Sequence, residues 1–214
     1  MEWIQLLLDF LKDPLIFLSD FIHIYGPWVY GFLFLIVFVE TGVVVMPLLP
    51  GDSLLFAIGL IASTTGQIDI YFIIPLLILA ALLGDNLNYF IGKKFGDFVQ
   101  SKEKILFLKK THIDQTEAYF EKNGGKTIIL ARFIPIIRTI APFVAGAGEM
   151  KYRTFLSYSI SGAFLWVFSI TLLGYFLGSV DIVKNNFEKV VMLIVFISIL
   201  PLLTKAFQGL RKSD

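Results

Sequence analysis

The chain has 214 residues, of which 57% are hydrophobic and only 16% charged, with a formal net charge of +1. A soluble domain carries charge on about a quarter of its residues, so much of this surface faces something other than water. The near-neutral balance excludes a basic nucleic-acid-binding domain, and the absence of cysteine excludes disulfides, thiolate metal sites and cysteine nucleophiles.

In residues 1–25, Trp3, Ile4, Leu7, Leu8 and Leu11 recur at helical spacing with Gln5, Asp9 and Lys12 between them. The pattern predicts an N-terminal amphipathic helix at the membrane interface; a cytosolic helix packed on the rest is the alternative. Acids at 2, 9, 13 and 20, without a basic leader or small-residue cleavage site, do not fit a cleavable signal peptide.

Residues 28–63 are apolar but interrupted by Pro47, Pro50, Gly51 and Asp52. Proline removes a backbone donor and pushes its predecessor out of helical geometry, so one straight span is excluded. Two half-helices meeting at a proline-rich tip, a re-entrant hairpin, are expected instead. A full span follows at about 69–92. Its second half carries Asp85, Asn86 and Asn88, which either line a wet cavity or bond a neighbouring helix.

The hydrophilic segment 93–126 holds eight lysines against five acids, and the positive-inside bias places it in the cytoplasm. Within it, 111–122 reads as an interfacial helix. A second broken stretch, 126–148, carries Pro135 and Pro142, with a half-helix N-terminus expected after Arg138. A second span covers 153–178, where Gly162, Gly174 and Gly178 suit close helix packing. A C-terminal transmembrane helix is expected at 187–208; Lys205, Arg211 and Lys212 follow its apolar run, which ends at Leu203, on the cytoplasmic side.

The halves echo each other. Pro50 precedes Tyr89-Phe90-Ile91-Gly92 much as Pro135 precedes Tyr175-Phe176-Leu177-Gly178. The predicted fold is therefore an all-α integral membrane protein: an inverted repeat of re-entrant helical hairpin plus transmembrane helix, with an N-terminal interfacial helix and an extra C-terminal span.

Glu40, Asp52, Arg132 and Arg138 lie in apolar surroundings. Each ionised group near the centre of a membrane helix costs about 2.5–3.5 kcal/mol on insertion scales. That cost is tolerable if two carboxylates and two guanidiniums meet in a shared wet cavity. Arg132 and Arg138 would clamp an anionic headgroup, since guanidinium forks match phosphate oxygens. Glu40 and Asp52 would hold the arginines in the empty site and could couple transport to protons. Asp85 and Asn88 are candidate cavity-lining residues. Two ion pairs that merely lock the hairpins are the alternative. His23 and His112 have no partner pattern, so no metal is expected.

These residues fall in three blocks: Glu40-x-Gly42 with Pro47-x-x-Pro50-Gly51-Asp52; Gly84-Asp85-x-x-x-Tyr89-x-x-Gly92-Lys93-x-x-Gly96; and Phe120-x-x-x-Gly124, Arg132-Phe133-x-Pro135-x-x-Arg138-Thr139 with Ala145-Gly146-x-Gly148-x-Met150. Over 26–178 the chain resembles the DedA family, whose shared region is also called the SNARE-associated or VTT domain. The resemblance implies two opposed re-entrant hairpins and lipid transport, with undecaprenyl phosphate or a phospholipid as cargo. It also implies that Glu40, Asp52, Arg132 and Arg138 are the functional charges and that protons are a coupling partner.

The leading expectation is a translocase of a phosphate-bearing lipid in the bacterial cytoplasmic membrane. A proton-coupled small-ion exchanger and a non-transporting assembly or stress factor are the competing classes. No enzyme, cofactor or nucleic-acid partner is expected, and the oligomeric state is left open.

Overall fold

The computed structural model describes residues 24–43, 51–100, 104–105 and 108–185. The expected N-terminal interfacial helix and C-terminal span fall wholly or mostly outside these residues. In chain order the elements are α1 (Trp28–Gly42), α2 (Gly51–Thr65), α3 (Ile70–Gln100), β1 (Lys104–Ile105), β2 (Leu108–Lys109), α4 (Lys110–Asn123), a 3-10 turn (Gly124–Lys126), α5 (Thr127–Ala131), α6 (Pro135–Ala147), α7 (Tyr152–Gly178) and α8 (Asp181–Asn185). The described chain is thus helical, apart from an antiparallel ladder pairing Lys104 with Lys109 and Ile105 with Leu108.

Among the described residues, two helical segments are long and apolar enough to cross a membrane, Ile70–Phe95 and Tyr152–Gly178. The expected span at 69–92 is part of a longer helix, since α3 runs on to Gln100. Lys93, Lys94 and Gly96 mark a change of polarity there, but no proline or capping residue stops the backbone.

Both interrupted stretches are divided into two helices. The first gives α1 and α2; the second gives α5 and α6. At the second break Ile134 is extended, with φ −119° and ψ 106°, and Pro135 opens α6 at a position where its missing N–H costs nothing. The amide groups of Arg132, Phe133 and Ile134 donate to the carbonyls of Ile129, Leu130 and Ala131 at 3.3, 3.2 and 2.9 Å. These tight-turn bonds give the three amides between α5 and α6 a partner in an apolar setting. The half-helix starts at Pro135 rather than after Arg138, so Arg138 belongs to its first turn and Pro142 lies inside it.

The described chain forms two compact units. One comprises 24–29, 51–70 and 170–185; the other comprises 30–43 and 71–169. In the first, α2 buries Leu54, Leu55, Ile58 and Ile61. It lies directly on the last turns of α7: a β-carbon on Gly59 would collide with the Thr171 carbonyl, and one on Gly174 with the Phe56 carbonyl. In the second, α3 and α6 approach as closely, because a β-carbon on Gly92 would collide with the Phe143 carbonyl. Small residues that let helix backbones touch are the usual means of packing in an apolar solvent.

The core of the second unit gathers Tyr89, Ile128, Ala131, Ile137, Ala141, Ala145 and Phe155. Tyr89 stacks on Phe155 with ring centroids 4.4 Å apart, and its hydroxyl donates to the Met150 carbonyl at 2.5 Å. This polar tip fixes the α6–α7 connection against α3. Phe120 of α4 packs on the same core, and the Thr127 hydroxyl donates to the Tyr119 carbonyl at 2.8 Å. The helix expected at 111–122 is therefore present as α4 and tied to α5.

Candidate functional site

The site lies in the second unit, where α1, α3, α6, α7 and the α5–α6 break converge. Glu40 sits in the last turn of α1 and is 1% exposed. Arg138, in the first turn of α6, donates from Nη2 to Glu40 Oε1 at 2.7 Å. Arg132, in the break itself, donates from Nη2 to Asp85 Oδ2 on α3. Both pairs are buried, so each charge gives up hydration that only a close, hydrogen-bonded partner offsets.

Asp85 Oδ2 also accepts a 2.5 Å hydrogen bond from the Ser159 hydroxyl on α7. One carboxylate oxygen therefore carries two donors, while Arg132 keeps its Nη1 buried with no hydrogen-bond partner among the described residues. The Arg132 fork is half used. The indole of Trp166, also on α7, lies beside both cations: the guanidinium carbon of Arg138 is 4.8 Å from a Trp166 ring centroid and that of Arg132 is 5.7 Å away.

Asn88, one turn after Asp85, ties the helices around the pairs. Its Nδ2 donates to the Thr139 carbonyl of α6 at 2.7 Å and to the Thr41 carbonyl of α1 at 3.3 Å. Gly84 makes room for this crossing. A β-carbon there would overlap the Thr41 hydroxyl and press on the Phe38 carbonyl, pushing α1, and Glu40 with it, off α3.

Of the four charges expected to meet, Glu40, Arg132 and Arg138 are gathered within this unit. Glu40 holds Arg138 as anticipated. Asp85, which the sequence marked only as cavity-lining or helix-bonding, is the carboxylate on Arg132. Asp52 lies in the first turn of α2, in the other unit, where a carboxylate complements the helix N-terminus. Asn88 bonds two neighbouring helices. Ser159 and Trp166 were not singled out by the sequence, and Gly162 was read only as a packing residue. Their one signal was a three-then-four spacing on α7.

Residues 49–176 match the VTT domain family. Over 202 residues the chain is 46% identical to Protein DedA of Escherichia coli, covering 94% of this chain and 92% of that protein. The chain belongs to the DedA family. An uncharacterised membrane protein of Mycobacterium leprae is 46% identical over 84% of this chain and 80% of its own length. The inner membrane protein YghB of Escherichia coli is 31% identical over 85% and 82%. No solved structure matches. The two membrane-length helices, taken with these relatives, make this DedA-family chain a multi-pass protein of the bacterial cytoplasmic membrane.

Proposed function

We propose that the protein is a translocase for a phosphate-bearing lipid, undecaprenyl phosphate or a phospholipid, that moves its cargo without chemical change. The observation that carries this reading is the pair of buried guanidiniums beside one indole, with a donor of Arg132 left over. A phosphate offers several acceptor oxygens, and a half-used fork fits one of them.

The broken stretches serve this reading as re-entrant hairpins of an inverted repeat, each entering from one face of the bilayer, so that the headgroup site is reached from both sides. Glu40 and Asp85 balance Arg138 and Arg132 charge for charge. An incoming phosphate therefore either displaces a carboxylate or arrives with a proton, which gives proton coupling a physical basis at Glu40 and Asp85. Asp52 supplies a further carboxylate for coupling.

The test is lipid movement in proteoliposomes of the full chain, comparing a long-chain polyprenyl phosphate with a common phospholipid, with and without a proton gradient. Movement of one lipid that Arg132→Ala/Arg138→Ala abolishes, in a variant still folded, supports a translocase and names its cargo class. No movement of either lipid sinks the reading. The two ion pairs also favour a second reading, a fold-locking cluster in a non-transporting factor. Arg138→Lys separates the two: a lock retains most of its effect, whereas a planar clamp does not.

A further inference from the structure

Ser159, Gly162 and Trp166 are spaced three and four apart on α7 and so share one helix face. Each meets the charge cluster. Ser159 bonds the carboxylate that holds Arg132. A β-carbon at Gly162 would stand 3.4 Å from both Cγ and Nε of Arg132 and 3.3 Å from Cα of Ile129, so glycine lets the arginine stem lie along the helix. Trp166 is fully buried beside both guanidiniums.

We infer that this face of α7 is a positioning surface for the two arginines, with Trp166 the residue that sets their affinity for a phosphate monoester. The inference rests on the translocase reading and deepens it. A carboxylate holds a guanidinium but also cancels its charge. An aromatic face holds it through the ring quadrupole and leaves the full positive charge to act on a ligand. Glu40 and Asp85 each steady one arginine from one side, and the indole constrains both at once without competing with an anion. Two like charges brought beside one ring repel each other, so their orientation depends on such a plate once a phosphate displaces a carboxylate. Arg132, with Nη1 unengaged, depends on it most.

The test uses proteoliposomes of the full chain with Trp166→Phe and Trp166→Leu, reading KM and kcat for a polyprenyl monophosphate and for a phosphodiester lipid. The Phe substitution keeps an aromatic face; the Leu substitution keeps only apolar bulk. Expected are a KM for the monophosphate lipid that rises about tenfold in Trp166→Leu and less than about threefold in Trp166→Phe, with kcat changed little. Equal KM values in the two variants, at matched thermal stability, overturn the inference while leaving the translocase reading intact. Wild-type vesicles that move neither lipid overturn the translocase reading and this role with it.

A second measurement does not depend on the Leu variant folding. In a Trp3→Phe/Trp28→Phe background, Trp166 is the remaining tryptophan and is read by excitation at the red edge, where tyrosine does not absorb. Its emission should shift on Arg138→Lys, which keeps the charge and loses the planar group, and on titration with the polyprenyl monophosphate in detergent. Emission that moves with neither overturns the positioning role.

Discussion

Arg138 and Glu40 stand 98 residues apart in sequence and share a 2.7 Å buried hydrogen bond. The bond joins the last turn of α1 to the first turn of α6, two short helices that could otherwise slide along α3. Removing one partner strands a buried charge, so Arg138→Ala and Glu40→Ala should each destabilise the fold by about 3–5 kcal/mol. The Glu40→Ala/Arg138→Ala double variant should lose less than the two single changes summed. Thermal unfolding in detergent micelles, arranged as a double-mutant cycle, reads this coupling; additive losses would mean that the pair does not act as a unit.

Asp85 and Ser159 allow a graded comparison. Asp85→Asn removes the charge on which Arg132 depends and should cost about 3–5 kcal/mol. Ser159→Ala removes one hydrogen bond to a charged group and should cost about 1.5–3 kcal/mol. If Ser159→Ala proves silent in the same unfolding assay, the hydroxyl does not hold that carboxylate.

Gly84 and Gly31 separate close packing from helix propensity. Gly84→Ala drives a methyl group into Thr41 and should cost about 1–3 kcal/mol as overpacking. Gly31→Ala meets nothing within 4 Å and should instead stabilise α1 by about 0.5–1 kcal/mol. Similar values at the two positions would show that α1 and α3 are not in backbone contact.

Asn88→Ala deletes both donations that join α3 to α1 and α6. At about 1 kcal/mol per neutral bond it should cost about 2 kcal/mol. It should also speed hydrogen exchange at the amides of α1 and α6 near the crossing, a local loosening that exchange measured in micelles can detect. Unchanged exchange would mean that the side chain is not what clamps the crossing.

The charges were legible in the sequence because ionised residues in apolar stretches are costly whatever the fold. The division of α1 from α2 and the break before Pro135 were legible for a similarly local reason, the loss of a backbone donor at proline. The pairing was not. Which acid meets Arg132 depends on how α3 is rotated against the α5–α6 break, and Asp85 and Asp52 look equally suitable in one dimension. Trp166 was hidden because an aromatic residue in an apolar helix reads the same whether it faces lipid, core or a guanidinium. The length of α3 was missed because polarity changes at Lys93 while helical propensity does not.

The glycine contacts bear on how the chain is made. The helix after each break, α2 or α6, finds its close backbone partner on the long helix of the opposite half, through Gly59 against Thr171 and through Gly92 against Phe143. During synthesis α2 therefore leaves the ribosome long before the end of α7 exists, and must wait without its counterpart in the bilayer or the insertion machinery. A chain severed in the lysine-rich stretch between the halves would yield two pieces, each holding what the other lacks. Neither should accumulate alone, and expression of both together should restore the assembled protein.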